Sequence, residues 1–373
     1  MNRATIPAGC RACRSRSGDL VLDLGLQPAC DDFPSSHDPG PDGVYPLRMW
    51  LCGQCGLAQL AEDPTVPREP RGAEPAALVA QAAEAVRRVE AAGLLHSGAR
   101  VAEYGSPHGG TWLDLLAARG LEPAPEDESA DVIVDCFGLM HAPDQSAALA
   151  ERAARISPRG TLLLQYHSLS AIIRHGQWNA LRHGHYAYYS TTALVTMLAA
   201  AGLRPRTAWS FDLYGGTVLL AAGRAVDHPG PPGGAVRALL ADDAAVGVRD
   251  PLALAGLQRD SQQKADGLRR WLLAQRDEGT SVIGYGAASR AVAVLRRAEV
   301  DSGLLPAVVD ASPAKQGLRM PGTDIPVVSP AELAVRKPAA VLLFLADLRA
   351  EVRASYPEVE AAGGQWVDAD ELS

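Results

Sequence analysis

Lysine occupies only three of the 373 positions, Lys264, Lys315 and Lys337, and no basic block is present. With 35 Lys and Arg against 43 Asp and Glu, the formal net charge is −8. Such a chain offers little to a phosphate backbone or an anionic bilayer, so nucleic acid and membrane surfaces are excluded as expected partners. Long apolar runs are also missing. The Ala-rich stretch 76–92 is interrupted by Glu84, Arg87, Arg88 and Glu90, which predicts an amphipathic helix and not a membrane span. The opening MNRATIPAGC lacks the apolar core of a secretory signal. A cytoplasmic protein with reduced cysteines is expected. Hydrophobic content is ordinary at 47%, and 36 Gly and 27 Pro predict a turn-rich globular chain. The length predicts two or three domains.

What is there begins with cysteine. Four of the six cysteines form two C-x-x-C pairs, Cys10/Cys13 and Cys52/Cys55. Each pair places two thiolates on one turn, at the separation a tetrahedral Zn²⁺ requires, and Gly53 and Gly56 suit tight knuckles. A lone C-x-x-C also fits a redox dithiol, but the second pair favours a closed, structural zinc site. Cys30 and Cys136 are single and read as packed residues.

The pattern predicts three α/β parts: a zinc-binding module over 1–62, a central unit over 76–223 and a C-terminal unit over 250–373. In the central unit, strands are expected at 100–104, 131–135 and 161–166, and helices at 111–119 and 144–156. STTALVTMLAAAGL reads as a capped helix, and RTAWSFDL and GGTVLLAA as closing strands. GRAVDHPGPPGGAV reads as a linker, followed by a long helix over 251–278. The last part alternates strand and helix, and opens on GYGAASR, Gly284 to Arg290, a turn of the phosphate-binding type or a purely structural one.

Three stretches carry a resemblance to a known family. They are the first Cys pair with DLGLQP and YPLRMWLCGQCGLAQL; RHGHYAYYSTTALVTMLAAAGL; and GYGAASRAVAVL with VVDASPAKQGLRMPGTDIPVVSPAEL. In order and spacing the chain resembles the zinc-containing sugar-nucleotide C-methyltransferases. The resemblance implies a zinc module, a class I methyltransferase-like domain of Rossmann type that uses S-adenosylmethionine (SAM), and a second Rossmann-like domain. It also implies a dTDP-4-keto-deoxysugar substrate, deprotonated beside the ketone. His185, His141, Arg182 and His183 fall at the implied catalytic positions. Glu103, Gly105, Ser106 and Gly109 fall on the implied cofactor turn.

The chain departs from its relatives where the chemistry sits. Their His-Glu-His tripeptide, preceded by Tyr, is here Arg182-His183-Gly184-His185. Pro107 and His108 replace Asn-Asp in the cofactor turn, Tyr214 replaces the His of a His-Gly-Gly stretch, and EDPTVPREPRGAEPA contains no Tyr. Above all, only one helix and LEPAPEDESA separate Gly110 from Asp131. That length predicts a remnant second strand, with Glu122 as its ribose acid, and no third strand to wall an adenine.

Five of the nine histidines fall between 141 and 185: His141, His167, His175, His183 and His185. They read either as catalytic groups or as packed and surface residues; their H-x-H spacing suits a metal poorly. Tyr186, Tyr188 and Tyr189 are candidate enolate donors or packing residues, while Asp310 and Lys315 are candidates for holding part of a nucleotide sugar. Three outcomes stay open: methyl transfer from SAM, a SAM-independent epimerase, isomerase or lyase on the same substrate class, and a non-catalytic scaffold. The oligomeric state is not legible.

Overall fold

A computed structural model describes residues 9–38, 40–65, 74–107 and 109–372. Much of the connector (66–73), and His108 of the cofactor turn, lie outside the described residues.

The N-terminal module is an antiparallel sheet of β1 (Gly18–Pro28), β2 (Val44–Cys52) and β3 (Ala58–Leu60). Alternation along YPLRMWLC turns Leu47 and Met49 inward, each at most 2% exposed.

The central unit contains, in chain order, α1 (Ala76–Ala91), β4 (Arg100–Tyr104), α2 (Leu113–Ala117), β5 (Glu122–Pro123), β6 (Ala130–Cys136), α3 (Gln145–Arg155), β7 (Ile156–His167), α4 (Leu169–Arg174), β8 (Ala187–Tyr188), α5 (Thr191–Ala200), β9 (Leu203–Phe211), β10 (Thr217–Arg224) and α6 (Gly234–Val246). Its six-stranded sheet runs β5-β4-β6-β7-β10-β9, parallel from β5 to β7 and antiparallel beyond. The expected remnant is β5, two exposed residues paired to Arg100 and Val101. The sheet ends there, with no strand beyond β5 among the described residues. The predicted helix start at 190 is confirmed, since Ser190 accepts from the Ala193 N–H.

β8 does not join that sheet. It pairs with β3 as the fourth strand of the zinc module, Ala58 opposite Tyr188 and Gln59 opposite Ala187. The His-rich insertion is thus stitched into the module's sheet, a partnership between segments about 130 residues apart that no local pattern encodes.

α6 starts at the end of the stretch read as a linker and runs on through residues to which the sequence pattern gives no element. Its buried positions are Val236 and Asp243, so an acid occupies the stripe where periodicity looks for an apolar residue. Asp243 is satisfied there by Ser170 and by the N–H and hydroxyl of Thr192. The long helix is broken at Ala255 into α7 (Pro251–Leu254) and α8 (Gly256–Asp277).

The C-terminal unit is a five-stranded parallel sheet, β13-β12-β11-β14-β15. In chain order it comprises β11 (Val282–Tyr285), α9 (Ser289–Arg297), β12 (Val308–Val309), β13 (Val327–Val328), α10 (Ala331–Arg336), β14 (Ala340–Leu343), α11 (Arg349–Ser355), α12 (Glu358–Ala361) and β15 (Gln365–Asp368). The zinc module is locked to it by Arg319, whose guanidinium grips both oxygens of Asp42 at 2.6 and 2.7 Å. No helix among the described residues is long and apolar enough to cross a membrane.

The Arg319 pair sets an acid limit. Its guanidinium holds the Asp42 carboxyl below the usual carboxylate range. A depressed folded pKa contributes stability that is present above the unfolded value, about 3.9, and is lost as pH falls through the folded value. Arg319→Met is expected to cost about 1–3 kcal/mol, since it leaves a partly buried carboxylate with the Gly322 N–H as its remaining donor. It is also expected to flatten stability between about pH 4 and the depressed value. Urea midpoints of both proteins between pH 3 and 7 check this; parallel acid limbs contradict it.

Candidate functional site

The first C-x-x-C turn and the β2–β3 knuckle bring Cys10, Cys13, Cys52 and Cys55 together. Their four sulfurs lie within 4.8 Å of one another, with Cys10–Cys55 at 3.5 Å and Cys13–Cys52 at 3.6 Å. A tetrahedron with Zn–S near 2.3 Å needs S···S separations of about 3.8 Å, so this thiolate set fits zinc and leaves no open position for catalysis.

The knuckle also orients what lies beside it. Arg11, between the first two ligands, donates to the carbonyls of Leu60 and Pro143 and covers the Tyr186 ring at 4.7 Å. Arg14 pairs with Asp144, the N-cap of α3. The zinc knuckle therefore braces both the His141 turn and the segment 182–186.

That segment is fixed on each side. The Gly184 N–H donates to Asp63 at 2.6 Å, and its carbonyl accepts from His141 Nδ1 at 3.0 Å. Gly184 takes φ +80°, which a side-chain-bearing residue adopts only with strain. Tyr186 donates its N–H to the Met140 carbonyl, and the Leu60 N–H donates to the Tyr186 carbonyl.

A carbonyl oxygen only accepts, so His141 carries its proton on Nδ1, and in the neutral ring Nε2 holds the lone pair. Its ring meets that of His185 edge-on at 4.6 Å. Arg182 Nε donates to His185 Nε2 at 2.8 Å, which occupies that lone pair, and Arg182 Nη1 donates to Ser289 at the start of α9. The three residues stand together in a cleft of about 270 Å³ between the insertion, the central sheet and the C-terminal unit. His183 does not join them. It is 3% exposed, packs on Tyr45, and shares a hydrogen bond with the Pro46 carbonyl, and it does not line the cleft. The position predicted as catalytic is a packed one, because the turn at Gly184 sends neighbouring side chains to opposite sides.

The remaining candidates divide similarly. His167 lines the cleft but is held neutral, its pKa pulled down to about 3 by burial and by the guanidinium of Arg290. Tyr188 and Tyr189 line it too, yet their hydroxyls are engaged: the Arg182 N–H donates to Tyr188, and Tyr189 donates to Gln145, which itself bonds the carbonyls of Leu139 and Ala142. Asp310 binds the Ala287 and Ser312 N–H groups and braces the turn before α9. Lys315 lines the cleft, with its ammonium on the Ala287 carbonyl and 5.0 Å from the Phe33 ring centroid.

Of the cofactor-turn residues, Ser106 and Gly109 line the cleft. Glu103 does not; its carboxylate accepts from the Thr111 hydroxyl and the Trp112 N–H, both at 2.6 Å, and so ties the turn to α2. Gly105 is exposed and also outside the cleft lining. No residue of 121–130 lines the cleft, and Glu122 stays exposed on β5. The residues lining the cleft thus fit the methionine end of SAM in part, and none of 121–130 is among them to hold its ribose or adenine.

Arg290, at the second position of α9, is a cleft residue that sequence reasoning misses. It stacks on Tyr214 at 5.2 Å and has no hydrogen-bond or ion-pair partner among the described residues. Asp63 also escaped sequence reasoning, because its contact with Gly184 spans 121 positions.

The fold and site together define a methyltransferase-type α/β protein with a zinc knuckle. Family models match as a zinc binding domain over 10–69, a methyltransferase domain over 78–208 and a C-methyltransferase C-terminal domain over 212–369. In this order the three matches make the chain similar to C-methyltransferases that carry a zinc-binding domain. It is similar to the C-methyltransferase NovU of Streptomyces niveus, 24% identical over 399 aligned positions that cover 96% of this chain and 94% of that protein. Part of the chain is similar to two solved structures containing S-adenosylhomocysteine (SAH). Magnesium protoporphyrin IX methyltransferase of Synechocystis PCC 6803 is 10% identical, with 39% of this chain and 82% of that one covered at a TM-score of 0.29. The 1,6-didemethyltoxoflavin-N1-methyltransferase of Burkholderia thailandensis is 16% identical, with 45% and 96% covered at a TM-score of 0.28.

Cys52→Ser is expected to abolish the stoichiometric zinc of the wild type. Because β8 hangs on β3, it is also expected to speed amide exchange across 182–189. Metal analysis with hydrogen-exchange mass spectrometry checks both; a variant that keeps its zinc contradicts the four-cysteine assignment.

Proposed function

We propose that the cleft removes a proton from the carbon beside the ketone of a dTDP-linked 4-keto-deoxysugar, and that this step does not require SAM. The observation that carries the proposal is the grouping of His141, His185 and Arg182 in a cleft that extends to Arg290 and α9 but not to residues 121–130.

His141 is the better-prepared base, since Gly184 fixes its tautomer with Nε2 as the lone-pair nitrogen. Nε2 takes the α-proton, leaving an imidazolium and an enolate. Arg182 sits beside the ring and supplies positive charge for the enolate oxygen. His185, whose Nε2 accepts from Arg182, aims that guanidinium. Return of the proton gives exchange or epimerisation; departure of a β-substituent gives elimination. The N-terminus of α9, Arg290 and Lys315 present positive charge to a diphosphate.

SAM, when bound to such a domain, supplies an electrophilic methyl group. A second reading, capture of the same carbanion by that methyl, is favoured by the name of the Streptomyces relative and by the cleft's reach to Ser106 and Gly109.

The zinc-loaded chain is expected to exchange carbon-bound hydrogen of dTDP-4-keto-6-deoxyglucose in D₂O equally with and without SAM. His141→Ala is expected to lower the rate by about 10²–10⁴. Mass spectrometry of the sugar reads both. Absence of exchange in the wild type overturns the proposal, and SAM-dependent gain of a methyl group establishes the second reading.

A further inference from the structure

Two bulky aromatic residues of the cleft, Phe137 and Tyr214, both hold left-handed backbone at φ +58°. Side chains of this size rarely adopt it, and it persists only where the surroundings over-determine it. At Tyr214 they do. Gln177 donates to the Tyr214 carbonyl at 3.0 Å and shares a hydrogen bond with His167 Nε2 at 3.0 Å. Its amide fills the space beside Gly215, where an added Cβ would sit 2.4 Å from Nε2. Gly215 and Gly216 continue at φ +74° and +146° into β10. Backbone strain and a dedicated amide thus serve to place one ring.

That ring meets Phe137 edge-on at 6.1 Å, lies 6.5 Å from His167, and carries the Arg290 guanidinium at 5.2 Å. Its hydroxyl feels the positive charge of both Arg290 and Arg182; burial outweighs them and keeps the phenol above its ordinary pKa, so it is a proton-bearing donor at neutral pH. The other tyrosines of the cleft, Tyr188 and Tyr189, spend their hydroxyls on the fold.

Resting on the proton-abstraction chemistry proposed above, we infer that Tyr214 is a further catalytic residue, whose hydroxyl donates a hydrogen bond to the enolate oxygen alongside Arg182. Arg290 is its positioning residue and holds the ring by stacking on its face. No proton is transferred in this contact: the phenol O–H stays intact while negative charge grows on the oxygen it faces.

Tyr214→Phe keeps the ring, the stack and the backbone and removes only the donor. In the deuterium-exchange assay with dTDP-4-keto-6-deoxyglucose, kcat is expected to fall about 10²–10³-fold, as for loss of one oxyanion donor. KM is expected to stay within about twofold, because the contact strengthens only as the enolate forms. Tyr214→His, which restores a ring donor, is expected to recover part of the loss. An unchanged kcat in Tyr214→Phe, or a loss confined to KM, overturns the role of Tyr214 and leaves the proton chemistry standing. A wild type that does not exchange overturns both.

Discussion

The His141–His185 side of the cleft hangs on the zinc knuckle. Four thiolates converging within 4.8 Å fix the turn that carries Arg11, and Arg11 holds the Leu60 and Pro143 carbonyls and the Tyr186 ring. From there the constraint runs into β3, whose pairing with β8 suspends segment 182–189 between two sheets. A loop this rich in buried polar groups has no core of its own. It keeps one conformation because its neighbours satisfy it: Asp63 takes the Gly184 N–H, and the Met140 carbonyl takes that of Tyr186.

The site that results gathers more cationic than anionic side chains among its described lining. Among the described residues, two guanidiniums and a helix N-terminus face a pair of imidazoles, with Glu74 on the cleft wall and Asp347 acting on Arg290 as the carboxylates nearby. The glycine turn that would grip a methyl donor has its acid, Glu103, bound to its own helix, and β5 stops after two residues. The proposed proton chemistry needs only the first set of features, and methyl transfer needs both.

Sequence reasoning found what spacing encodes. The two cysteine pairs named their own ligand set, and the count of residues between Gly110 and Asp131 foretold the shortened sheet. Periodicity placed β4 at its observed bounds. It missed α6, because Asp243 replaces an apolar core residue with one satisfied from α4 and α5. The family resemblance put His183 among the catalytic groups, because a motif match does not reveal that a left-handed glycine turns the ring toward Tyr45. The tautomer of His141 and the engagement of His185 by Arg182 depend on contacts across a turn, which no motif records.

The proposed proton chemistry goes with an abbreviated central domain whose cleft lining includes no residue of 121–130 to hold the nucleoside of SAM. Isothermal titration of SAM, and of SAH, into the zinc-loaded chain tests it most directly. No saturable heat is expected up to millimolar ligand. Stoichiometric binding with a micromolar Kd would contradict it.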